Sequence, residues 1–207
     1  MLSSISPLGE RARHSRWWLT TTAYLLGSLV GGLALGGLFA LLGGLVPAPV
    51  RAAPATLVVV AALLLLGLAL DLRVGGATLP SWRRQVDVAW LDRYRGWVMG
   101  LGFGGQLGFG LVTIITSATT YAVALLAVLS GDLRAGLVIG GVFGLVRALP
   151  SLLMARVRDR EALHGVFTLV ERWARPVDLV AMVALGGAAL VLLAAAIGSG
   201  AWLTVTA

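Results

Sequence analysis

Cysteine is absent from all 207 residues. That excludes a thiol–disulfide relay, cysteine-ligated zinc or iron–sulfur sites, and disulfides within the chain. Histidine occurs only twice, as His14 and His164, both outside the apolar runs, so a b-type haem held by two histidines inside a bilayer is excluded as well. Lysine is missing, and all sixteen basic residues are arginine. Charge of either sign is sparse, at 12% of residues. None falls deep in an apolar run, where proton relays and ion-coupled pumps place theirs. Asp71, Asp132, Arg147 and Asp178 fall near the ends of such runs, where interfacial solvation accounts for them. Metalloprotease, nucleotide-binding and serine-hydrolase motifs are also lacking. Gly102-Phe103-Gly104-Gly105 is glycine-rich, but no P-loop lysine follows it. No catalytic residue, metal ligand or cofactor is assigned, and the expectation is a protein that is not an enzyme.

What is present is apolar. The chain is 58% hydrophobic with a mean hydropathy of +0.94, which reads as an all-α polytopic membrane helix bundle in one domain. A net charge of +7 in a soluble protein would suggest nucleic acid. Here the arginines border apolar runs, so orientation in a bilayer explains them and no nucleic-acid partner is expected.

The longest uncharged run lies between Arg95 and Asp132. As one helix it would reach about 50 Å, well beyond a hydrocarbon core of about 30 Å, and so would be tilted, kinked or overhanging. Gly100, Gly104 and Gly108 recur every four residues in its first half. Gln106, Gly110, Thr113, Ser117 and then Thr120 or Tyr121 follow steps of three and four, which puts them on one face of a continuous helix.

Read in order, the spans are about 17–46, 56–74, 97–130, 135–149 and 177–197. The first follows Arg11, Arg13, Arg16 and the interfacial pair Trp17-Trp18, and is too long for a signal-peptide core, so it reads as a retained span. Its glycine pairs Gly27/Gly31 and Gly32/Gly36 allow close helix approach, as do Gly136, Gly140 and Gly144 in the fourth span. Two amphipathic segments, 80–95 and 156–175, carry arginines around apolar faces and read as helices lying in the membrane interface.

Fourteen of the sixteen arginines fall on one side of a five-span arrangement. The other side holds Arg51 and Arg134. By the positive-inside rule the N-terminus is cytoplasmic and the C-terminus outside, in a bacterial cytoplasmic membrane. Span, turn, span and Arg-rich segment occur twice, with Leu79-Pro80-Ser81 and Leu149-Pro150-Ser151 at matching places. This reads either as a parallel internal repeat or as two hairpins made similar by constraint.

Glycine and apolar spacing adds a family resemblance. Arg95-Gly96, Gly102-Phe103, Gly108-Phe109-Gly110-Leu111-Val112-Thr113, Leu125-Leu126, Gly131, Gly140, Gly144 and Leu149-Pro150-Ser151-Leu152-Leu153 together resemble the second half of the CcdA/DsbD-type membrane electron-relay proteins. The resemblance covers residues 95–153 and implies a related membrane architecture. Where that family has Gly-Trp-Thr-Pro-Cys, this chain has Gly110-Leu111-Val112-Thr113-Ile114, so the thiol chemistry does not carry over.

Two functions fit. In the first, Gln106, Thr113, Ser117, Thr120 and Tyr121 line a path for a small solute, with Ser28 and Tyr24 of the first span approaching them. In the second, the chain is a non-catalytic structural or assembly subunit of a larger membrane complex. Either way the expected partners are the lipid bilayer and further copies of the chain or other membrane subunits. The same hydroxyls can equally bond helix backbones, as structural glue worth about 0.5–2 kcal/mol each.

Overall fold

The computed structural model describes residues 16–72, 95–111, 117–157 and 159–205. Thr113 and, apart from Arg95, the amphipathic segment 80–95 lie outside the described residues. In chain order the helices are α1 (Trp17–Gly44), α2 (Ala48–Arg51), α3 (Pro54–Asp71), α4 (Gly96–Phe109), α5 (Thr119–Ser130), α6 (Leu133–Ala148), α7 (Pro150–Leu153) and, after a 3-10 turn at Met154–Arg156, α8 (Arg160–Val205). Among the described residues four stretches are long and apolar enough to cross a membrane: Trp17–Gly44, Pro54–Asp71, Leu133–Leu153 and Glu161–Ser199.

α1 is the axis of the bundle. It has 28 residues, about 42 Å of helix. Along one side its Gly27 and Gly31 meet the backbone of α4 at Leu101 and Gly105, and Gly43 meets α5 at Val128. Residue numbers rise together along this contact, so α4 and α5 both run parallel to α1. On another side Gly32 faces Gly140 and Gly144, and Gly36 faces Gly136 and Gly140, so α6 runs antiparallel to α1. A Cβ on Gly27, Gly31, Gly32, Gly36, Gly43 or Gly140 would enter the partner's backbone, not a movable side chain. That is how small residues hold helices together where lipid supplies no hydrophobic drive.

The second layer is built differently. Ala61 and Leu64 of α3, Ala118 and Ala122 at the start of α5, and Leu185 and Ala189 of α8 form a buried cluster of side chains. α3 and α5 therefore link the glycine-packed core to α8.

Local chemistry sets most boundaries. Pro54 occupies the first turn of α3, where its missing N–H costs nothing. The Asp132 carboxylate accepts from the Ala135 N–H at 2.8 Å and caps α6. The turn between α5 and α6 uses Gly131 at φ 52°. The Arg51 guanidinium clasps it, donating from Nε to the Val46 carbonyl at 3.1 Å, from Nη1 to Leu129 at 3.2 Å, and also to Ser130. The cation thus sits on the carbonyl end of α5, where the helix dipole favours it.

Two expectations need correction. The single helix over 97–130 is two helices of 14 and 12 residues, interrupted after Phe109. Gly110 adopts φ 73°, a left-handed conformation that ends α4. The chain still proceeds the same way along α1 on both sides of the break. The segment 156–175 and the span 177–197 are not separate elements either. Residues 160–205 form one 46-residue helix with Pro176 inside it, about 69 Å long. Pro176 removes one backbone hydrogen bond, yet residues 171–180 are exposed all round, so no packed neighbour forces a break.

Candidate functional site

The break in the third span gathers the polar groups of the bundle. α5 starts without a side-chain cap of its own, and its exposed amides are met from another helix. The Asp71 carboxylate, at the end of α3, accepts the Ala118 N–H at 2.9 Å on Oδ1 and 3.0 Å on Oδ2, and the Ser117 hydroxyl donates to Oδ2 at 3.0 Å. Ser117 Oγ in turn accepts from the Thr119 N–H at 3.3 Å. A carboxylate at a helix N-terminus satisfies both the orphan amide and the positive end of the dipole.

Thr120, in the first turn of α5, is wholly buried. Its hydroxyl accepts from Arg147 Nη1 at 3.2 Å. Arg147 is half-buried on α6, and its guanidinium lies over the Phe143 ring, 5.6 Å from the centroid, within reach of a cation–π attraction. Phe143 and Thr120 also crowd Gly110: a Cβ there would stand 3.0 Å from the Thr120 methyl and 3.3 Å from the Phe143 ring edge. The left-handed turn and the two side chains thus hold one another in place. Tyr24 of α1 is 2% exposed, stacks on Phe103 of α4 at 6.1 Å and 28°, and is an electrostatic neighbour of Arg147.

The residues that sequence spacing put on one helical face are separated by the break. Gln106 is half-buried and, two positions on from Gly104, stands on the side of α4 turned away from α1. Ser117 is in the connection before α5, bound to Asp71. Thr120 faces Arg147. Tyr121 lines a different space, an apolar cavity of about 520 Å³ bordered by Phe39, Leu63, Leu66, Leu70 and Leu125. Ser28 is buried and donates to the Gly144 carbonyl of α6 at 2.7 Å, while its backbone abuts Gly108 of α4. Gly100 and Gly104 face Thr20 and Tyr24 of α1.

Asp71 and Arg147, which their positions near the ends of apolar runs mark as interfacial, also make hydrogen bonds within the bundle. Side chains lean toward the N-terminus of their own helix. α6 runs antiparallel to α1, so Arg147 near its far end reaches back into the bundle. The available signal was their presence at the edge of apolar runs, since an ionisable group at membrane depth is a site candidate by default.

A helical bundle in which four stretches are long and apolar enough to cross a membrane fits a multi-pass membrane protein. No family model and no solved structure matches the chain. Among curated proteins it is similar to the methylamine utilization protein MauF of Methylophilus methylotrophus, 31% identical over 201 residues, covering 92% of this chain and 68% of that protein. It is 30% identical over 203 residues to MauF of Methylobacillus flagellatus, covering 92% and 69%. With MauF of Paracoccus versutus it shares 32% identity over 150 residues, covering 72% and 55%. The chain belongs to the MauF family of bacterial membrane proteins, a CcdA-like family.

Proposed function

We propose that this chain serves methylamine utilization, as the name of its relatives states, as a non-enzymatic, permeation-like membrane protein that meets a small solute at the break in its third span. The observation that carries this reading is the break itself. Transporters place substrate at discontinuous helices, whose free ends offer backbone groups and helix dipoles within the membrane. Here Asp71 and Arg147 are both held on the first turn of α5, where a solute could replace either contact. The path runs past Ser117 and Thr120, with Tyr24 on its wall. Gln106, Thr113 and Tyr121 remain candidates for its approaches.

The cysteine-free chain makes the test direct. Ser117→Cys and Thr120→Cys should react with a small water-soluble thiol reagent in membranes, as should a control Leu133→Cys at the outer turn. If the control reacts while both others stay unlabelled, the break is closed to water and the path reading falls.

The orientation in this reading is five spans with the N-terminus in the cytoplasm. Reporter fusions after Val50, Leu133 and Ala207 should report outside, and those after Trp90 and Gly165 inside. A second reading, an assembly subunit that binds further copies or other membrane subunits, is favoured by α8. Its Trp173, Val177, Leu179, Val180 and Val183 are all exposed, on a helix more than twice the length a bilayer core requires. Copurification in mild detergent tests it: a single monomeric species would remove that reading.

A further inference from the structure

Arg147 lies within the apolar stretch Leu133–Leu153 and has no counter-charge among the described residues. Its guanidinium reaches back over Phe143, four residues earlier on α6. That direction is toward the bundle interior and away from the nearer end of the span, whereas a snorkelling arginine would run outward. Among the described residues no carboxylate pairs with it, because Asp71 is committed to the Ala118 amide and the Ser117 hydroxyl. A guanidinium has five N–H donors. Thr120 accepts from Nη1, and among the described residues no acceptor meets the Nε–Nη2 edge, which can form the paired hydrogen bonds that carboxylates and phosphates accept. Tyr24 is 2% exposed and neighbours Arg147, so its hydroxyl offers a second donor beside the first.

We propose that Arg147, with Tyr24 beside it, is a recognition site for a small oxyanion of carboxylate or phosphate type. The inference rests on the break being a solute site, and it gives that site a substrate class. A methylammonium cation is repelled by Arg147.

The full chain in phosphatidylcholine nanodiscs is melted with acetate, with inorganic phosphate, and with methylammonium chloride, against sodium chloride at equal ionic strength. A ligand that binds only the folded protein raises the melting temperature. Acetate or phosphate should do so, and methylammonium should not. Arg147→Gln should abolish the response. Arg147→Lys keeps the charge but loses the planar fork, and should weaken the apparent affinity roughly tenfold or more. It also serves if the glutamine variant does not fold. Repeating the series with phosphatidylglycerol distinguishes the source. If the anionic lipid itself stabilises the wild type but not the variants, and removes the response to added anion, the oxyanion is a lipid headgroup and the site stands. No response to oxyanions in either lipid, or an equal response in the Arg147 variants, overturns the proposal. Thiol labelling at Ser117→Cys without any oxyanion response sinks this inference and leaves the solute path standing. Oxyanion binding without labelling keeps the site and sinks the path.

Discussion

The bundle packs in two ways, and the third span passes from one to the other. Around α1, helices α4 and α6 approach through glycines until backbone meets backbone. Around α3 and α8, the contact is made by alanine and leucine side chains, and it leaves an apolar cavity of about 520 Å³ beside α5. The first kind is close and unforgiving, because a backbone cannot turn aside. The second has rotamer freedom and open volume. α4 belongs to the first region, and α5 packs Ala118 and Ala122 into the second. A continuous helix would carry one face and one register through both. The interruption at Gly110 allows α5 to start afresh, capped by Asp71 of the second region and touched by Arg147 of the first. The two packing modes explain why the polar groups collect at that point.

The largest expected effect breaks the first region. Gly140→Leu places a side chain where the Gly32 carbonyl and the Gly36 backbone stand. It should destabilise by more than about 3 kcal/mol, the upper end of overpacking costs, because no rotamer relieves it. Little folded protein should be recovered in detergent. Gly187→Leu on α8, where nothing lies within 4 Å of a new Cβ, should melt like the parent. Equal losses at both positions would erase the distinction between the regions.

The second region yields to subtraction instead. Leu64 is 2% exposed in the α3–α5–α8 cluster, and Leu64→Ala should cost about 2–5 kcal/mol, read from detergent unfolding. The lower end is expected if the adjoining cavity lets neighbours relax inward.

Legibility follows the same division. Gly27, Gly31, Gly100, Gly104, Gly108, Gly136, Gly140 and Gly144 stand in the sequence at a four-residue spacing, and the same glycines sit at backbone crossings. Spacing on a helix is a local property, so the pattern survives without tertiary information. The break was not legible. Gly102, Gly104, Gly105, Gly108 and Gly110 look alike in the chain, and only the crowding of Thr120 and Phe143 around Gly110 distinguishes the one that turns left-handed. Once the helix is broken, step counts across it lose their meaning, which is why Gln106, Ser117 and Tyr121 point to three different surroundings. Asp71 and Arg147 misled for another reason. Their positions at span ends suggested solvent, but Arg147 reaches back along α6 to Thr120, and Asp71 at the end of α3 binds the start of α5. Pro176 looked like a boundary between a surface helix and a span, and a helix with no neighbour pressing on it runs through.

Smaller effects sharpen the comparison at its boundary. Asp71→Ala removes the acceptor that caps α5 from α3. Loss of an N-cap acceptor typically costs about 1 kcal/mol and at most about 2, and here the Ser117 hydroxyl loses its partner too. The variant should melt lower, and the loss should be confined to α5, seen as faster amide hydrogen exchange in residues 118–122 with α4 and α6 unchanged. Exchange that rises equally throughout the bundle would mean that Asp71 supports the whole fold and not the second half of the broken span.

The smallest effect is expected at Ser28, although its hydroxyl makes a buried hydrogen bond of 2.7 Å to Gly144. Ser28→Ala keeps the Cβ, so no void opens against the backbone of α4 or α6. The Gly144 carbonyl, inside α6, retains its own helical partner and is not orphaned by losing a second donor. Interhelical hydrogen bonds of this type average about 0.6 kcal/mol in membrane proteins and reach about 1.7 at most, so the variant should lose less stability than Asp71→Ala in the same detergent. If Ser28→Ala instead costs as much as Gly140→Leu, the first region is held by its hydroxyl and not by glycine approach. The contrast between the two packing modes would then have to be redrawn around polar contacts.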